Sequence, residues 1–364
     1  SGRERTYQSW WGIPEVALDG TAEEIQTWGQ NNGYSERQIN DLVQYGRQAN
    51  YYTYEDEVDN YGQDHQQLHL QHQIGDWRFS ATGHFTHGEG YYEQFKDGED
   101  LSDYLLPNVV VGGDTVSTTA LVRRRWLDND FYGAVIGAER RWERAALTMG
   151  ASANRYEGGH FGELIWAQNA STAGTPNFRY YNNDGIKLDR NVFARFVQRS
   201  KDGRLQGQAE LQYRGVRYET FGTDNDQQAI DVPRDSATFD FLNPKLGLDY
   251  RINDAERVFL SAAVAHKEPG RNDFIDAPAG LADQAERLID FELGWRRNAE
   301  SYAWGLTAYH MAYKNQLIPT GALNDVGASI RQNVPKSQRT GVEMELGWQV
   351  SEAIELGAQA TFSR

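Results

Sequence analysis

Between residues 288 and 318, apolar and polar side chains alternate twice. Ile289, Phe291, Leu293 and Trp295 fall on one parity; Asp290, Glu292, Gly294 and Arg296 fall on the other. Successive side chains of a strand point to opposite faces, so the pattern predicts a strand with one apolar and one polar face. After a polar break at residues 297–301, Trp304, Leu306 and Ala308 alternate with Gly305, Thr307 and Tyr309. The two runs predict a hairpin of strands about ten residues long, enough to cross a bilayer when tilted. A soluble antiparallel sheet alternates in the same way, so the recurrence of the unit decides.

Residues 1–64 read as a largely irregular, polar segment with short helices at 21–28 and 35–45, the second opened by a Ser35/Gln38 capping box. From His65 the unit recurs. Leu68, Leu70 and Ile74 precede a turn at Gly75-Asp76, and Trp77, Phe79, Ala81 and Phe85 follow it. Strands are expected at 115–127, 131–139, 145–156 and 191–198, with Asp128, Asn129 and Asp130 forming a turn. Lys201-Asp202-Gly203 and Asn253-Asp254-Ala255 are further short turns. Long loops are expected at 89–113, 157–184, 222–236, 267–285 and 319–337. This gives about thirteen strands in which short turns and long loops alternate. A soluble sandwich has no reason to gather its long loops at one end, whereas an outer-membrane barrel places short turns in the periplasm and long loops outside. Trp77, Trp126, Trp142, Trp295, Trp304 and Trp348 are expected near the short turns, as a periplasmic aromatic girdle.

Composition agrees. Aromatics are abundant (20 Tyr, 15 Phe, 10 Trp), with 36 Gly and only 9 Pro. No apolar run reaches the ~18 residues of a membrane helix. The absence of Cys excludes thiolate metal sites and cysteine nucleophiles, and a net charge of -16 argues against nucleic acid as a partner. No signal peptide precedes residue 1, and the last strand runs out in mid-pattern. Both ends are therefore expected to be cuts within a longer chain.

Residues 7–15 (YQSWWGIPE), 121–132 (LVRRRWLDNDFY), 156–163 (YEGGHFGE), 243–248 (NPKLGL), 267–274 (KEPGRNDF) and 333–343 (NVPKSQRTGVE) carry a resemblance. They are similar to the barrel of TonB-dependent receptors of the Bacteroidetes type, over essentially the whole chain. The resemblance implies an all-β, transmembrane antiparallel barrel of about 22 strands, of which residues 1–364 form a part. The plug domain, its energy-coupling box and the C-terminal strands are missing from the pattern. The implied role is capture of a scarce solute (a ferric siderophore, cobalamin, haem or glycan) and TonB-driven import. The implied setting is the Gram-negative outer membrane, with the protein's own plug, the TonB complex, lipid and the solute as partners.

Arg78, His84, Glu210, Arg214, Asp290, Glu292, Arg296, Glu343 and Glu345 share the polar parity and are expected to line the lumen, since a Lys or Arg facing lipid at mid-bilayer costs about 2–4 kcal/mol. Trp10, Trp11, Tyr91, Tyr92, Tyr180 and Tyr181 are expected at loop tips, where aromatic rings can stack on a solute or on one another. Lys267, Glu268, Arg271 and Asp273 either tie down a loop by ion pairs or, with Arg271 foremost, meet an anionic solute. His84 and His87, three apart on a strand, face opposite ways, and His160 is a candidate for haem or an iron chelate. No cofactor, metal site or catalytic constellation is expected, and the chain reads as no enzyme. A passive porin-like channel, a barrel enzyme and a soluble β-rich module are the alternatives. The soluble module would bury Leu246, Leu248, Ile289, Phe291, Val342 and Met344 in a protein core.

Overall fold

The computed structural model describes all residues except 8–11, 51, 170–176, 226, 233–236, 276, 278, 279, 281 and 324–328. Its strands are β1 (Gly2–Tyr7), β2 (Val58–Ile74), β3 (Trp77–Asp100), β4 (Val109–Val111), β5 (Asp114–Val116), β6 (Thr118–Arg141), β7 (Ala145–Ala167), β8 (Phe178–Arg199), β9 (Leu205–Thr223), β10 (Ala229–Val232), β11 (Thr238–Arg251), β12 (Glu256–Lys267), β13 (Glu286–Asn298), β14 (Tyr302–Leu323), β15 (Ser329–Ser351) and β16 (Ile354–Ser363). All but β4 and β5 join one antiparallel sheet of 14 strands, paired in chain order from β1 to β16, with β10 on β9. β4 and β5 form a separate hairpin.

Cross-strand registers sort the side chains into two faces. One ladder runs Leu246, Ala262, Phe291, His310; the next level runs Leu248, Leu260, Leu293, Ala308, Val342. Its large apolar members lie open, as Leu70 (58%), Leu246 (61%) and Leu293 (58%) show. The facing ladder carries the nine polar residues expected in the lumen, with Arg78 opposite Glu139 and Glu343 opposite Thr307. An exposed apolar band on one face and a polar wall on the other is the signature of a membrane barrel, not of a soluble sheet burying its apolar side. Among the described residues, no helix is long and apolar enough to cross a membrane.

The strands are longer than the sequence suggests, because they continue beyond the apolar band into water. Residues 115–139 are not two strands and a turn. β6 runs through without a break, and Asp128, Asn129 and Asp130 pair in register with Glu89, Gly88 and His87. Strand backbone tolerates these turn-formers because their side chains find partners: Asp130 meets His87 at 3.0 Å, and the Tyr156 hydroxyl donates to Asn129. Trp126 consequently moves to the long-loop end. It stacks on Phe161 there and touches Tyr91, while Trp77, Trp142, Trp295, Trp304 and Trp348 stay beside the short turns. The loops expected at 89–113, 157–184 and 319–337 shrink for the same reason.

Within the first 64 residues, β1 pairs with the start of β2, so strand begins seven residues ahead of His65. Between them lie α1 (Val16–Asp19), α2 (Ala22–Asn31) and α3 (Glu36–Tyr45). Thr21/Glu24 and Ser35/Gln38 form complete capping boxes. Ala17, Ile25, Leu42 and Ala49 make a small core of their own, and Ser35 Oγ bonds Asp97, fastening the helices to β3.

Candidate functional site

The polar wall at the long-loop end is built from the extensions of β2, β3 and β6–β9. Asp59, Tyr92, Arg125, Gly162 and Tyr181 stand opposite one another on five successive strands. On β8 and β9 the same wall carries Asn183, Lys187 and Asp189, then Arg214, Val216, Tyr218 and Thr220.

The chain after β12 folds back onto this wall. Pro269 and Gly270 end the strand, and a short helix follows, α4 (Arg271–Ile275). Asp273 accepts a bond from the Gly270 amide at 2.7 Å, capping that turn. Five contacts pin the segment. Glu268 takes Arg214 Nη1 and Nη2 at 2.7 and 2.9 Å and Lys187 Nζ at 2.7 Å. Arg271 Nη2 donates to Asn183 Oδ1 at 2.5 Å. Phe274 stacks on Tyr218, with centroids 5.9 Å apart. Asp273 pairs with Arg331 of β15 at 3.0 Å. Burial is the largest single effect on the Glu268 carboxyl and pushes its pKa up, but the bonds from Arg214 and Lys187 together hold it below the usual range.

Beside this pinned helix, the wall gathers cationic and phenolic groups. The His160 imidazole is pushed down to about 4, chiefly by burial and then by Arg271 and Arg125, so it is neutral at ordinary pH. Tyr218 is pushed up to about 12 by burial, against the opposing influence of Arg271. A cavity of about 370 Å³ opens between Tyr61, Tyr92, Arg125 and Asp59. The Nε of Arg271 is buried and makes no hydrogen bond among the described residues. Arg125 faces this cavity together with the Glu4 and Asp59 carboxyls, while both Arg125 and Arg271 act on His160; guanidinium groups, a neutral imidazole and phenols along one wall suit a solute with anionic and aromatic parts.

The residues singled out from the sequence distribute unevenly. Tyr92, Tyr181 and Arg271 lie on this wall. Tyr91 is one position off and faces outward, under Arg124 at 4.3 Å. Tyr180 and Tyr181 are no loop tips: they are buried in a core with Leu101, Tyr104, Leu106, Leu121 and Leu164. Trp10 and Trp11 lie outside the described residues. Arg125, Tyr156 and Tyr218 were not singled out. Parity carried past the apolar band would have found them, since Tyr218 lies two positions along the same face from Val216 and four from Arg214. His84 bonds Asn154 and His87 bonds Asp130, on opposite faces. Among the described residues, no three His, Asp or Glu side chains converge as a metal site.

A family model described as TonB dependent receptor-like, beta-barrel, matches residues 14–364. No curated protein matches the chain. Solved structures share the fold at low identity. The copper transporter OprC superposes with a TM-score of 0.62 at 12% identity, over 84% of this chain and 46% of its own. The ferric-catecholate import receptor Fiu from E. coli K12 gives 0.61 at 14%, over 100% and 54%. The ferric yersiniabactin uptake receptor FyuA from Yersinia pestis gives 0.54 at 15%, over 85% and 43%. The chain thus spans about half the length of these proteins. With the 14-stranded sheet, its exposed apolar band and its polar inner wall, the match over residues 14–364 establishes that this chain belongs to the TonB-dependent receptor β-barrel family.

Proposed function

We propose that this barrel captures a metal chelate from outside the cell, at the long-loop end of its inner wall, for energised import across the outer membrane. The observation that carries this reading is the convergence of Arg125, Arg271, His160, Tyr92 and Tyr218 beside a loop helix pinned to the wall. Chelating arms are anionic or aromatic, and charge-assisted bonds from guanidinium with ring contacts from tyrosine hold such groups. The ferric-catecholate and ferric-yersiniabactin receptors that share the fold support the same solute class. Import would require a plug and the TonB complex as partners, with outer-membrane lipid around the apolar band; nucleic acid has no place in it. In this reading the role is transport.

The test is uptake of a ferric catecholate by cells making the full receptor. Capture at least tenfold weaker in Arg125→Gln/Arg271→Gln, with barrel melting unchanged, supports the reading. Equal capture by the variant removes the site. Uptake that persists at the same rate without the energy-coupling complex returns the passive channel.

A further inference from the structure

The outward face changes character on β7, β8 and β9, where the apolar band ends. Cross-strand registers stack it in levels. Met149, Ala194 and Leu211 stand opposite one another on one level, and Ala151, Val192 and Tyr213 on the next. Small side chains among large ones leave an apolar groove of about 660 Å³ along these two levels. One level nearer the long loops comes the first charge, Arg190, with Gly215 and Asp240 beside it. Arg155 and Arg217 follow, flanking Leu188, and then Glu157 and Glu219, flanking Ile186. β8 runs on from Arg190 to its short-turn end at Arg199, close to the length of about nine to eleven residues that carries a tilted strand across a bilayer. The three arginines therefore stand at the outer edge of the hydrocarbon, where a cation costs far less than at mid-bilayer.

Carboxylates share this face, and their places matter. Asp240 takes the Tyr213 hydroxyl at 2.5 Å. It converges with Arg190 above Gly215, where a Cβ would lie 3.1 Å from Arg190 Nε and 3.3 Å from Asp240 Oδ1. Glu157 holds Arg155 at 2.5 Å. Arg217 is exposed and closes no ion pair among the described residues. Going outward, the order is apolar groove, then guanidinium groups with Asp240 among them, then carboxylates. We infer that this strip is a site for a phosphorylated glycolipid of the outer leaflet, with an acyl chain in the groove and its phosphate among Arg155, Arg190 and Arg217. Arg155 and Arg217 are two strand spacings apart, about 10 Å, and Arg190 lies between them one level in. Guanidinium forks bind phosphate oxygens two at a time. Beyond the phosphate, sugar hydroxyls can donate to Glu157 and Glu219, which would repel a further anion there. A free phosphate would leave the groove empty. The inference rests on the outer-membrane setting of the barrel, not on the proposed solute site, which is on the other face.

The test titrates the full receptor, purified in detergent, with lipid A and counts retained lipid by native mass spectrometry. Lipid A should bind at least tenfold more weakly to Arg190→Gln/Arg217→Gln than to the parent, and Arg190→Lys/Arg217→Lys should lose less. Dephosphorylated lipid A should bind the parent and the Gln variant alike. Ala194→Trp, which fills the groove and leaves the arginines in place, should weaken lipid A at least fivefold. Equal binding of lipid A by the parent and the Gln variant overturns the inference, and so does unchanged binding by Ala194→Trp. Displacement of lipid A by inorganic phosphate at equal concentration overturns it in favour of a small-anion site. Phosphatidylglycerol that binds as tightly as lipid A overturns the glycolipid assignment.

Discussion

Glu268 grips both terminal nitrogens of Arg214, at 2.7 and 2.9 Å, across 54 residues of chain. The pair fixes the loop after β12 to the wall of β9. Arg214 is held from its other side by Asp189, so it keeps one partner if Glu268 is lost, whereas Lys187 loses its one ion-pair partner among the described residues. Glu268→Gln should therefore release the loop without unfolding the barrel. The expected cost is roughly 2 kcal/mol, the scale of hydrogen bonds to charged groups. Hydrogen exchange over residues 267–275 should quicken while the global melting temperature moves little. A barrel that melts far lower would show that the pair supports the sheet and not just the loop.

His160 gives the site an acid sensitivity. Its folded pKa, about 4, lies below the ordinary 6.5 because burial and two arginines oppose its protonation. A group with a depressed folded pKa takes up protons first in the unfolded state. Below 6.5 the unfolded chain binds the extra proton, and stability falls as pH drops toward 4. At about 1.4 kcal/mol per pKa unit, the fall reaches at most about 3 kcal/mol. Carboxylates such as Glu268 add their own acid loss at lower pH, so the readout is a difference. Between pH 6.5 and 4, His160→Gln should lose less stability than the parent. Parallel curves for the two proteins would mean that His160 titrates normally.

Tyr180 and Tyr181 are expected to be structural. Both rings pack against Gly162, where an added Cβ would lie 2.3 Å from Tyr181 and 2.4 Å from Tyr180. The neighbouring Tyr104 ring sits 4.7 Å from Tyr180, and its hydroxyl accepts a bond from Arg123 at 2.9 Å. Gly162→Ala should force the rings apart at a cost of about 1–3 kcal/mol, read as a lower melting temperature. Tyr181→Ala should cost more, about 3–5 kcal/mol, as large aromatic deletions do. A Tyr181→Ala protein of unchanged stability would move these rings from the core to the ligand surface.

The sheet was legible because alternation is a one-dimensional signal: Leu246, Leu248, Phe291 and Leu293 declare their face by parity alone. The short turns were legible for a similar reason. Gly75 and Gly203 adopt positive φ, a conformation glycine reaches at little cost. The strand extensions were not legible. Above the apolar band both faces meet water or protein, so alternation of hydrophobicity fades although pairing continues, and Asp128-Asn129-Asp130 then imitates a turn. The site suffered most from this. Tyr91 and Tyr92 look equivalent in sequence, but one residue of register sends the first outward and the second inward. Likewise, nothing local in the stretch Glu268–Asp273 tells that its partners are Lys187, Arg214, Asn183 and Arg331.

The apolar ladder makes the most direct prediction about membrane contact. Leu246, Phe291 and Met344 lie on its outward face, each at least 46% exposed, and β12, β14 and the rest of the sheet offer them no covering layer. Spin labels at these three positions, in the receptor reconstituted in lipid, should be relaxed strongly by oxygen and weakly by a water-soluble nickel chelate. Labels at Glu292 and Glu343, one position away on neighbouring levels, should show the reverse. Leu246→Arg should cost about 2–4 kcal/mol if the position lies near mid-bilayer, and progressively less toward either rim. Leu68→Arg on β2 should follow the same depth rule, because β2 shares the ladder through its pairing with β3. Equal access of both relaxing agents at Leu246 and Glu292 would mean that water bathes both faces, and the outward ladder would then need a protein partner in place of lipid.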